Sequence, residues 1–82
     1  MTEEKKQQTR DRIGQRIYSL RKLKGMTQEQ LAERAGLQRS HVGRIEAGKY
    51  AVTLETVQAI AEAMGMTVDI IDHKLEGLTT IA

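Results

Sequence analysis

Eighty-two residues leave room for one modest domain, whose core is small enough for a second subunit to add materially to its stability. The absence of cysteine excludes disulfides and thiolate metal sites, and no apolar run reaches the roughly 18 residues that a membrane span requires. A net charge of +2 hides a gradient, since Arg10 to Lys24 carries six basic residues against Asp11 alone, whereas from Ala51 onward only Lys74 opposes five acids.

A basic front and an acidic back would orient the domain on a polyanion, although charge runs also serve simply as solvated helix faces. The opening MTEEKKQQ is charged and has no apolar stretch, so no signal peptide is expected and a cytoplasmic location is. Residues 1–8 are taken as a flexible tail, with an extra turn or two of the first helix as the alternative. Helix one is expected from Thr9 to Lys24, where Ile13, Ile17 and Leu20 recur at helical spacing and Leu23 widens the stripe. Gly25 stops it. Thr27 and Gln30 spell a T-x-x-Q capping box for helix two, which runs to Ala35 with Leu31, Ala32 and Ala35 inward.

Gly36 and Leu37 follow, and the chain restarts as helix three from Arg39 to about Ala47, burying Val42 and Ile45. Leu37 and Val42 form a hydrophobic staple if Gln38 is the cap. After Gly48, Thr53 caps a fourth helix, Leu54 to Met64, with Leu54, Val57, Ile60, Ala61 and Met64 as its inner stripe. The segment MTVDIID, residues 66–72, alternates like a strand but can also be read as a fifth helix capped by Thr67. The strand is preferred, and its free edge would seek a second copy of the chain through Val68, Ile70 and Ile71. The domain plan is therefore a tail (1–8), an all-α helix-turn-helix domain (9–66) and a dimerisation tail (67–82).

Two helices joined by so short a turn define a helix-turn-helix, in which the first residues of the second helix meet base edges in the major groove of DNA. Arg39 is suited to bidentate bonds with guanine, Ser40 is a weaker reader, and Arg44 can read a base or hold a phosphate. Gly43 lets the helix sit close to the groove. His41 is either an exposed, uninvolved ring or a phosphate contact. Gln28, at the start of helix two, can offer its amide to a phosphate, and Lys49 and Tyr50 stand where a backbone contact is expected. Lys49 and Tyr50 can also be read as ordinary polar loop residues. Catalysis is not expected. Ser40 and His41 are neighbours on a helix and do not face each other, and there is no phosphate loop, HExxH or compact acid pair. No cofactor or metal is expected.

The string TQEQLAERAGLQRSHVGRIEAGKYAVTLETVQAIAEAMGM resembles the lambda-repressor and Cro type of helix-turn-helix proteins, the XRE family. The resemblance covers about Ile13 to Met66 and rests on T-Q-E-x-L-A, A-G-L and R-I-E-x-G, followed by T-L-E-T-V-x-x-I-A-x-A-M-G. It implies a bundle of four or five helices and a homodimer on a roughly palindromic operator. It also implies a phosphate contact at Gln28, base reading at Arg39, Ser40 and Arg44 with Gln38 at the turn, and a buried ion pair between Arg21 and Glu46. Two features depart from the family. Gln38 stands where Ser or Thr is common, so it either leaves helix three poorly capped or extends toward DNA. The strand-like tail is similar to that of Hip-type antitoxins, whose strands pair between subunits. The expected function is a homodimeric transcriptional repressor, with an antitoxin that also holds a protein toxin as the alternative.

Overall fold

The computed structural model describes residues 1–70 and contains four helices: α1 (Glu3–Leu23), α2 (Gln28–Ala35), α3 (Arg39–Glu46) and α4 (Leu54–Ala63). α1 packs on α3, α3 on α2, and α2 on α4. Ile17, Leu31, Val42, Ile45, Ile60 and Met64 meet at the centre, and Met26 closes the core at the turn after α1. Leu31, Val42, Ile45 and Ile60 are fully buried, each worth about 1.5–3 kcal/mol relative to exposure.

Each helix starts and stops for local reasons. The capping box of α2 is complete, with Gln30 N donating to Thr27 Oγ1 at 3.0 Å and Thr27 N to Gln30 Oε1 at 2.9 Å. Thr53 caps α4 in the same direction through Thr56 N. At the end of α2, Gly36 takes φ of +71°, and Leu37 N reaches back to the Ala32 carbonyl at 2.8 Å. That left-handed step costs a glycine little, and it satisfies a carbonyl that the helix end would otherwise strand.

Several expectations need correction. α1 begins at Glu3, six residues before Thr9, so residues 3–8 are extra turns of the first helix, the alternative reading, rather than a flexible tail. Thr2 accepts from Lys5 N, and Glu3 and Glu4 favour the positive end of the helix dipole. Leu23 and Leu54 are not inner residues: they are 80% and 68% exposed. Leu23 lies six positions from Ile17, about 120° off the buried stripe, and Leu54 opens the first turn of α4. Residues 67–70 form neither strand nor helix, and no strand occurs among the described residues. Gln58 on α4 holds this segment instead, its Oε1 accepting from Val68 N at 3.0 Å. Ile71 and the rest of the expected dimerisation tail lie outside the described residues.

Candidate nucleic-acid interface

Three residues, Gly36 to Gln38, separate α2 from α3, so the two helices share one corner of the molecule. Gln38 is extended and gives no side-chain cap, which leaves its amide and the first backbone N–H groups of α3 open. Leu37 packs against the core cluster that contains Val42. With Val42 and Ile45 turned inward, Gln38, Arg39, Ser40 and Arg44 all stand exposed. Among the described residues, no acid or hydrogen-bond acceptor engages the side chains of Arg39 or Arg44. Two free guanidiniums on one short helix make a site for an anion or an acceptor-rich surface.

The other end of α2, its N-terminus, lies against the second half of α3. Gln28 is half-buried and donates from Nε2 to Glu46 Oε1 at 3.0 Å. Its amide lies over Gly43, where an added Cβ would stand 3.7 Å from Oε1. A methyl there would be in ordinary contact with the amide, so the space over Gly43 does not by itself call for a glycine. Glu46 is also the partner of Arg21, which donates from Nε at 2.7 Å and from Nη2 at 3.0 Å, and from Nη1 to the Met26 carbonyl at 2.8 Å. The bonds to Glu46 raise the Arg21 pKa above its ordinary value, against the opposing pull of desolvation.

Beyond α3, Lys49 and Tyr50 are exposed in the loop to α4. The Tyr50 ring meets His41 edge-to-face, with centroids 4.6 Å apart. His41 departs from the expectation of an exposed, uninvolved ring. The residue is half-buried, and its Nε2 is buried with no hydrogen-bond partner, so this nitrogen does not face a phosphate.

Sequence reasoning missed the residues that dock α1 beside this loop. Gln7 Nε2 donates to the Gly48 carbonyl at 2.8 Å and to Asp11 Oδ1 at 2.9 Å. Gly14 lies against the last turn of α3, where a Cβ would overlap the carbonyl oxygens of Ile45 and Glu46. A glycine inside a strongly helical pattern was the available signal for such close packing. The T-E-E start was the signal for the longer helix. Val68 and Ile70 flank α4 with Leu54, Ile70 being 97% exposed.

Residues 17–71 match the family model described as helix-turn-helix, and the chain belongs to that family, as a lambda-repressor and Cro type DNA-binding protein. It is 46% identical over 59 residues to the immunity repressor protein of Bacillus phage phi105, covering 72% of this chain but 41% of the repressor. It is 36% identical over 56 residues to control protein C.SmaI of Serratia marcescens, covering 68% of this chain and 67% of that protein. The crystal structure of the restriction-modification controller protein C.AhdI from Aeromonas hydrophila superposes with a TM-score of 0.69 at 40% identity, covering 71% of this chain and 88% of that one. Family and relatives together describe a DNA-binding regulator rather than an enzyme. No helix among the described residues is long and apolar enough to cross a membrane.

Proposed function

We propose that the protein is a homodimeric transcriptional repressor that occupies a roughly palindromic double-stranded DNA operator, with α3 of each subunit in the major groove. The observation that carries this reading is the exposed, unengaged set Arg39, Ser40 and Arg44 on the face of α3 opposite Val42 and Ile45. Arg39, in the first turn, is the candidate for bidentate bonds to guanine O6 and N7. Gln38 and Ser40 flank it, and Arg44 follows one turn later. Gln28, Lys49 and Tyr50 are the candidate phosphate contacts, which fix register without reading sequence. A cytoplasmic location goes with a DNA partner. The repressor and control-protein descriptions of the relatives favour this reading over the antitoxin alternative.

Selection of bound sequences from a random DNA pool, followed by titrations of variants, tests it. Arg39→Ala should relax preference at one base pair of each half-site by about 1–3 kcal/mol. Lys49→Ala should instead weaken all sequences alike and lower the salt slope by about 0.9 per lost phosphate contact. An unchanged sequence profile for Arg39→Ala would remove the base-reading assignment.

A further inference from the structure

Arg21, Glu46 and Gln28 form a chain that runs from the buried seam between α1 and α3 to the N-terminus of α2. Glu46 Oε1 accepts from Arg21 Nη2 and from Gln28 Nε2, each at 3.0 Å, while Oε2 takes Arg21 Nε. An ionised carboxylate accepts and cannot donate. Of the two rotations open to the Gln28 amide, only the one that turns its NH2 toward Glu46 is therefore favourable. The other would set two oxygens against each other without a proton between them. The amide lies over Gly43 at ordinary contact distance.

The amide keeps a second N–H, and no group among the described residues accepts it. Gln28 is also the first residue of α2, ahead of the capped Gln30 N and of Leu31 N, which bonds to the Thr27 carbonyl. The N–H groups of Gln28 and Glu29 thus remain open beside the free side-chain N–H. We propose that Glu46, held in place by Arg21, is a positioning residue for DNA: it fixes the Gln28 amide so that its free N–H joins these backbone amides on a phosphate. The proposal rests on the DNA-binding reading above and gives the ion pair a part in recognition as well as in the fold.

The test is a cycle of substitutions read on operator binding, with thermal stability followed in parallel. In the otherwise unaltered protein, Gln28→Ala should weaken binding about tenfold. The salt slope should hold, because a neutral side chain displaces no counterion. The background Arg21→Met with Glu46→Met replaces both charges by apolar groups of similar size, an exchange that buried pairs often tolerate. There, Gln28→Ala should cost less than about twofold. An equal cost in both backgrounds overturns the positioning role while leaving DNA binding intact. Failure of the unaltered protein to select any DNA sequence overturns the DNA-binding reading, and the proposal with it.

Glu46→Gln keeps the side chain's shape and lets the Gln28 amide take either rotation, and a measurement on the unaltered protein serves if neither variant folds. Proton exchange of the Gln28 side-chain amide, followed by NMR without DNA, should show one slowed proton in the unaltered protein and none in Glu46→Gln. Equal, fast exchange of both protons in the unaltered protein overturns the proposal.

Discussion

Arg21 and Glu46 clamp α1 to α3 through two parallel hydrogen bonds of 2.7 and 3.0 Å, with side chains only 7% and 5% exposed. Fork-to-carboxylate geometry satisfies both Glu46 oxygens, and the Met26 carbonyl takes Arg21 Nη1. The Tyr18 ring lies 5.2 Å from the guanidinium carbon and shields its outer side. Helix one, helix three and the turn that leads into α2 are thereby fixed by one side chain.

Loss of one partner strands the other as a buried charge. Arg21→Met and Glu46→Met, made singly, should each cost about 3–5 kcal/mol, whereas the double substitution should recover most of that loss. Urea titration of the three variants measures it; a double variant no more stable than the worse single one would contradict the account. The Arg21 pKa is raised, so the stability it contributes is complete below the ordinary arginine value and is lost only as pH climbs through the folded value. Stability between pH 6 and about 9 should therefore show no slope from Arg21.

Gly14 carries the close approach of the same two helices. Glycine to alanine at an exposed mid-helix position usually gains about 0.5–1 kcal/mol. At Gly14 the sign should reverse, because the new methyl meets the Ile45 and Glu46 backbone oxygens rather than a movable side chain. A loss of about 1–3 kcal/mol is expected, typical of overpacking. Thermal melts of Gly14→Ala and of Gln15→Ala, the latter at an exposed neighbour, separate the two effects.

The scaffold was legible in the sequence wherever a local rule decides the outcome. Thr27 with Gln30, Gly36 at the turn, and the Val42 and Ile45 spacing all depend on residues within a turn of one another. The resemblance to the XRE family supplied Arg21 and Glu46, which are 25 positions apart and show no local pattern. What escaped was tertiary. Gln7 bonds across 41 positions to Gly48, the His41 ring is turned in by Tyr50, and Gln28 is held by Glu46. Each involves a polar side chain whose partner is set by packing, and such side chains read as generic surface in a sequence. Leu23 and Leu54 erred the other way, since an apolar letter near a stripe need not lie on it.

The longer α1 has a test of its own. Gln7 is the tie between its first turns and the carbonyl of Gly48, so Gln7→Ala should cost about 1 kcal/mol and loosen both ends of that contact. Hydrogen exchange should quicken at the amides of residues 6–10 and near Lys49, while Leu31 and Ile60 keep their protection. Exchange unchanged near Lys49 would mean that the helix extension does not brace the loop. A braced loop matters because Lys49 and Tyr50 are the candidate phosphate contacts after α3.

The proposed dimer has a candidate surface on α4 and the segment that follows it. Leu54, Val68 and Ile70 expose apolar side chains on the acidic side of the molecule, beside Glu55, Glu62 and Asp69. Such a patch, on α4 and the segment after it rather than on α3, would let two copies associate while both α3 helices stay free for adjacent half-sites. Ile70→Asp adds a charge where two copies would each bring one, so it should weaken the dimer at least about tenfold. Sedimentation at micromolar protein measures this, together with truncation after Met66, which should yield monomers. Because a dimer couples occupancy to protein concentration, the same variants should lose steepness in operator titrations before they lose half-site contacts. A truncated chain that remains dimeric would move the interface away from residues 67–70 and onto the helices themselves.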